Sequence, residues 1–256
     1  MNRLFIPFIL FISLAACSNQ PEKIVILKLD DVVAGTDGRF ISERWQRVSD
    51  YLEEKNIKAS FGIIGFSLEE DNPGYFKWIT DRAGRGMIEF WNHGFWQRTQ
   101  NDSVGEFERS YEEQLQALQR TDSLAKAKLK LNLTAWGPHW SGTNEATDRA
   151  LSQMPRIQVT FGVPQNPVYF KGVVIPRKID LEYPTHNPDF EAFKTAYLSK
   201  RDELDYFYLQ GHPMSWDETR WNNFIQIIEF LESEGVRFLT PSEFLRRIQE
   251  EGKNIK

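Results

Sequence analysis

Short apolar runs that end in ionisable residues alternate along this chain with segments of helical period, and no long linker, low-complexity tract or repeat interrupts them. Strand followed by helix, repeated, requires parallel strands joined by right-handed crossovers. If such strands close into a barrel, their C-terminal ends gather at one mouth, so the residues that close the runs meet there. Asp30 and Asp31 close the run that begins at Ile24, His93 the run from Met87, and His212 the run from Tyr206; His139 follows the run from Leu131. Carboxylates and imidazoles in one place point to a divalent metal and to hydrolysis.

The pattern predicts strands over 24–31, 59–64, 87–92, 131–136, 157–162, 173–175, 206–210 and 236–239. It predicts helices over 43–54, capped by Ser42, then 75–83, 104–127 with Asp102 or Ser103 as cap, 145–153, 190–200 and 221–234. Thr240-Pro241-Ser242-Glu243 is a capping box with proline at the first helical position, and opens a terminal helix. The expected architecture is α/β, a barrel-like parallel domain over 23–256.

Residues 1–16 read as an export signal. Arg3 is its positive start, 4–14 is apolar but too short to span a bilayer comfortably, and Ala15-Ala16 are small residues before a cut. Leu14-Ala15-Ala16-Cys17 resembles the lipobox of bacterial lipoproteins. That resemblance implies lipidation of Cys17, a short tether over 17–22 and a place in the bacterial cell envelope; Ser18 resembles a signal for onward sorting to the outer membrane. Cys17 is the only cysteine, so the mature domain has neither a disulfide nor a thiol nucleophile.

About 235 to 240 of the 256 residues then remain, the usual size of one α/β barrel domain, expected as a monomer. The formal charge of −5 becomes −6 when Arg3 leaves, and no basic run appears, which argues against nucleic acid as a partner. Aromatic residues make up 14% of the chain, with eight tryptophans. Most belong in a core, but Trp96, Trp136, Trp140 and Trp216 lie beside the strand-end polar residues, where flat rings suit the apolar faces of sugars.

Adjacent carboxylates at Asp30 and Asp31 reach one site only if the strand is ending there, because successive strand side chains face opposite ways. They then divide the labour: one binds the metal and the other, kept off it, takes a proton from water. His93-Gly94-Phe95-Trp96-Gln97 places two side chains four residues apart, the spacing that binds metal on a helical turn, although the amide of Gln97 is a weak ligand. An imidazole at His212, opposite a metal, is suited to protonating a leaving group.

Together these segments resemble the polysaccharide deacetylase (NodB-homology) family over most of the chain, from about Lys23 to Leu245. Leu29-Asp30-Asp31 is similar to its Phe-Asp-Asp motif, Asn92-His93-Gly94 to the start of its H-x-x-x-H motif, Trp136-Gly137-Pro138 to its Arg-Pro-Pro motif, and Leu209-Gln210-Gly211-His212-Pro213 to the strand that bears its last histidine. The resemblance implies a distorted (β/α) barrel that removes acetyl groups from amino sugars or acetylated glycans with a divalent metal, often zinc. By position, Asp30 would be the general base, His212 the general acid, and Asp31 and His93 metal ligands. Pro138 would join the four tryptophans around the sugar.

The chain departs from that pattern twice. Gln97 stands where the second metal histidine is expected, and Trp136 where an arginine would pair with the catalytic aspartate. His139 is the candidate to restore the imidazole. Lys28, two residues before Asp30 and hence on the same strand face, is the candidate to restore the charge and to hold Asp30 ionised. His186 reads as a loop residue. Two alternatives stay open: a degenerate barrel that binds glycan without cleaving it, and a glycoside hydrolase whose second acid, Asp180 or Glu182, would sit about 5 to 10 Å from Asp30.

Overall fold

The computed structural model describes residues 22–252 except Arg98, Gln100 and Ser141. The expected signal, lipobox and most of the tether therefore lie outside the described residues.

Eight strands form one parallel sheet: β1 (Ile24–Val32), β2 (Ala59–Ile63), β3 (Ile88–Asn92), β4 (Ala135–Trp136), β5 (Val159–Phe161), β6 (Val173–Ile175), β7 (Tyr206–Gly211) and β8 (Arg237–Phe238). Their order is β6-β5-β4-β3-β2-β1-β7, with β8 paired to the start of β1 at Ile24 and Val25. Among the described residues seven α-helices flank the sheet, six of them between strands and the last after β8: α1 (Glu43–Glu54), α2 (Pro73–Arg85), α3 (Tyr111–Leu124), α4 (Glu145–Ser152), α5 (Phe190–Lys200), α6 (Glu218–Ser233) and α7 (Pro241–Glu250). The sheet curls into a half-barrel. At its open side a hydrogen bond from Tyr208 N to Pro176 O, 3.1 Å, links β7 to the chain just beyond β6. None of these helices is long and apolar enough to cross a membrane.

β1 is buried on both faces, as a central parallel strand must be. Val25, Leu27 and Leu29 pack outward with the helices, where Trp45, Leu52, Ile79, Phe224 and Ile228 form the main core. Ile24 and Ile26 face the lumen, packed with Trp91, Phe161, Ile175 and Tyr208. Alternation along the strand carries that lumen face on to Lys28 and Asp30. Trp91 fits inside because its neighbour on β2 is Gly62: a Cβ there would lie 2.5 Å from the indole.

Other ends shift by up to three residues, but two elements differ more from the sequence pattern. The predicted long helix over 104–127 is instead a single turn at Glu106–Glu108 followed by α3, and a wider π turn, Ala125–Leu129, closes it. Ser110 caps α3 with Glu113 in reciprocal hydrogen bonds, a capping box that outcompetes the earlier Asp102 and Ser103. The strand expected over 131–136 shortens to Ala135–Trp136; Leu133 is buried in the core without strand pairing.

Candidate metal and catalytic site

β1 remains strand through Val32, so its two aspartates do not converge by the strand ending. They converge through an irregularity. The register against β2 slips between Leu29 and Val32, and Asp31 takes φ 74°. Asp tolerates this left-handed conformation better than most residues, at a cost of about 1–3 kcal/mol. The indole N–H of Trp45 donates to the Asp31 carbonyl at 3.3 Å. The carboxylates of Asp30 and Asp31 thereby share the mouth, and His93 Nε2 lies 3.7 Å from Asp30 Oδ2 and 3.2 Å from Asp31 Oδ1.

Asp30 is 1% exposed. Lys28 Nζ donates to its two oxygens at 2.6 and 2.5 Å, and Gln210 Nε2 donates to Oδ2 at 2.8 Å from the neighbouring strand. Lys28 and Gln210 are register partners between β1 and β7. The Lys28 ammonium lies 4.9 Å from the ring centre of Trp91 and 5.7 Å from that of Phe161. Burial pulls its pKa below the ordinary lysine value, and the charge and hydrogen bonds of Asp30 oppose that fall.

Asp31, His93 and His139 form a group whose donor atoms all lie within 4.8 Å of one another. His93 follows β3, and Gly94 turns the chain after it at φ 84°; a Cβ there would meet Glu106 Oε2 at 2.2 Å. His93 Nδ1 donates to the Gly137 carbonyl at 2.8 Å, which assigns its proton to that nitrogen. In neutral His93, Nε2 then presents a lone pair 3.2 Å from Asp31 Oδ1. Two acceptors at that distance need a proton or a cation between them. His139 Nδ1 lies 2.9 Å from the same Oδ1, and its Nε2 is buried without a hydrogen-bond partner among the described residues. A carboxylate with two imidazoles, one already oriented by a backbone carbonyl, is a donor set that fits zinc or a similar divalent cation. Burial opposes charge on Asp31, yet the hydrogen bonds and charges of His139 and His93 hold it well below the usual carboxylate range.

His212 follows β7, with Nε2 3.8 Å from Asp30 Oδ2. Its Nδ1 donates to Glu182 Oε2 at 2.6 Å. Glu182 is buried and also accepts from the His212 N–H at 2.7 Å, the His186 N–H at 2.8 Å and the Trp216 indole at 2.7 Å. Burial would pull the His212 pKa down; the Glu182 hydrogen bond and the charges of Asp30, Glu182 and Asp31 outweigh it and hold the imidazole above its ordinary value. His186 is exposed, with its ring 4.5 Å from that of His212.

Several residues stand elsewhere than the sequence suggested. Trp136 is fully buried against Phe107, 4.7 Å between ring centres, so it cannot stack on a sugar. Trp216 is buried too, and its indole is committed to Glu182. Trp96 and Trp140 are about half exposed, at 54% and 51%. Gln97 is exposed and lines a cavity of ≈ 360 Å³ together with Trp96 and His139, whereas His139 itself contacts Asp31. Pro138 is buried along a larger cavity that also touches Lys28 and Gln210. Asp180 pairs with Arg177 at 2.6 Å and Glu182 holds His212, so each candidate for a glycosidic second acid is occupied by a cationic or proton-donating partner.

Glu106 anchors the loop after His93. Its carboxylate accepts from the Phe95 N–H and the Trp96 N–H, each at 2.9 Å. Burial pushes its pKa up to about 7, against those two hydrogen bonds.

No protein-family model and no curated protein matches the sequence. Solved structures do match. The Xyl-CE4 domain of a multidomain xylanase from the hindgut metagenome of Trinervitermes trinervoides superposes with a TM-score of 0.64 at 18% identity, covering 91% of this chain and 93% of that one. A family 4 acetyl xylan esterase from Clostridium thermocellum, in complex with a cobalt ion, gives 0.63 at 19% identity, covering 91% and 94%. A CE4 family pseudoenzyme from Bacillus anthracis gives 0.61 at 16% identity, covering 88% and 66%. At these identities the likeness is one of fold: the chain has the distorted (β/α) barrel of the CE4 polysaccharide deacetylases.

Proposed function

We propose that the protein is a metal-dependent hydrolase that removes acetyl groups from amino sugars or acetylated polysaccharide. The observation that carries this reading is the arrangement around Asp30: Lys28 and Gln210 hold its carboxylate against the Asp31, His93 and His139 group, 3.7 Å from His93 Nε2, with His212 Nε2 3.8 Å from the same oxygen. A divalent cation held by Asp31, His93 and His139, zinc by the chemistry of the donors, would supply Lewis acidity to the acyl carbonyl and the attacking water.

Asp30, held in place by Lys28 and Gln210, takes a proton from that water as it attacks the acetyl carbon. His212 carries the second proton. Glu182 fixes its Nδ1–H, so Nε2 faces Asp30 and the reacting group, and delivers its proton to the departing amine or alkoxide as the bond to the acetyl carbon breaks. Acetate and the free sugar amine or hydroxyl are the products. Trp96 and Trp140, exposed at the rim beside His93 and His139, offer the sugar its apolar surfaces.

A second reading is a barrel that binds acetylated glycan without hydrolysis. Trp136 in the place of a charged residue favours it, and so does the fold shared with a pseudoenzyme. Lys28 argues against it by supplying the cation that Trp136 lacks. Acetate release by the metal-loaded protein separates the two. The sequence of residues 14–18 supports lipidation at Cys17 and an outer-membrane location, with the barrel acting as a monomer in the cell envelope.

A further inference from the structure

A cavity of ≈ 770 Å³ opens on the side of the barrel between β6 and β7. Lys28 and Gln210, which hold Asp30, form part of its wall, and Pro138, next to His139, forms another part. A sugar lodged there would therefore adjoin the group that reacts at Asp30. Phe161, Phe170 and Tyr208 give the cavity apolar faces.

Its charges are all of one sign. Lys28, Lys171 and Arg177 line it, and among the described residues no aspartate or glutamate does, in a chain whose formal charge is −5. The ≈ 360 Å³ cavity beside His139 differs: Asp102 and Glu106 line it with Arg109. Of the three cations in the larger cavity, Lys28 is neutralised by Asp30, and Arg177 shares its charge with Asp180 while donating to Gln210 at 2.9 Å. Lys171 donates to the Val168 carbonyl at 2.6 Å and has no carboxylate partner among the described residues.

We propose that this cavity receives a carboxylate-bearing sugar of the substrate, with Lys171 as the counter-ion of the carboxylate and Arg177 as a second donor beside it. The proposal rests on the deacetylase reading for the identity of the neighbouring group, and it names the substrate as an acidic glycan. A sugar carboxylate comes from a uronic acid or from a lactyl ether, and both present the same charge to Lys171.

Binding of unacetylated probes tests the site without turnover. Calorimetry with a glucuronate-bearing xylotetraose and with a glucosamine–muramic acid disaccharide, each beside its neutral methyl ester, compares the two sources. At low salt, one acid or both should bind more tightly than the ester by a factor on the order of ten, the scale of one charge-assisted hydrogen bond. That preference should shrink with added salt and vanish in Lys171→Glu, a change at an exposed side chain. Equal affinity for acid and ester in both pairs, no binding of any probe, or a preference that survives Lys171→Glu would overturn the proposal. Acetate release measured in parallel keeps the two readings apart: activity without acid preference removes only the acidic subsite, and acid preference without acetate release removes only the deacetylase.

Discussion

Lys28 and Asp30 form a closed pair inside the barrel, 2.5 Å between Nζ and Oδ2, with side chains only 3% and 1% exposed. They stand two residues apart on one strand, so the ammonium lies directly behind the carboxylate it neutralises. Removing one member leaves the other buried and uncompensated, which costs about 3–5 kcal/mol in such pairs. Lys28→Met should therefore lower thermal stability markedly and also abolish measurable acetate release. A variant with unchanged melting temperature and activity would show that Asp30 does not depend on Lys28.

The Glu182–His212 pair sets a pH dependence. The folded pKa of His212 lies above its ordinary 6.5, so its contribution to stability is fully present below pH 6.5 and is lost as pH rises through the folded value. As a general acid His212 must be protonated, so the alkaline limb of the rate profile should fall above the ordinary imidazole range. Glu182→Gln removes the strongest influence that raises this pKa and should move the limb to lower pH. A limb that stays in place in this variant would remove Glu182 from the acid's environment.

Metal binding distinguishes His139 from Gln97. His139 touches Asp31, whereas Gln97 lies exposed along the neighbouring cavity. His139→Ala, like Asp31→Ala and His93→Ala, should abolish stoichiometric zinc binding in elemental analysis, while Gln97→Ala should retain it. The reverse pattern would transfer the third place to the amide.

Parts of this site are legible in the sequence for physical reasons. A parallel strand order brings strand ends together, and the i, i+2 spacing puts Lys28 behind Asp30. The convergence of Asp31 is not legible, because it depends on a register slip and a positive φ that Asp31-Val32-Val33 does not announce. Trp136 and Trp216 sit beside polar residues in sequence, yet one packs on Phe107 and the other serves Glu182, since neighbours along a chain do not fix which way a ring turns. Glu182 is legible in the sequence only as a candidate glycosidic acid; its pairing with His212, 30 residues on, is found only through the tertiary contact. The start of α3 could have been read from Ser110 and Glu113, whose spacing is that of a capping box.

Anchoring is tested at the opposite end of the chain. Cys17 occupies the lipobox position and is the only cysteine. Cys17→Ser should shift the full-length protein from the membrane to the soluble periplasmic fraction, and unchanged membrane association would rule out a lipid on Cys17 as the anchor.

The central claim is that Asp30 moves a proton while Asp31, His93 and His139 hold the metal. Acetate release from a broad panel of acetylated sugars, by the metal-loaded wild type and by Asp30→Asn, tests it most directly. The account predicts release by the wild type and a fall by a factor on the order of 10² to 10⁴ in the variant, with metal content preserved. A wild type that binds acetylated glycan but frees no acetate, or an Asp30→Asn variant as fast as the wild type, would contradict it.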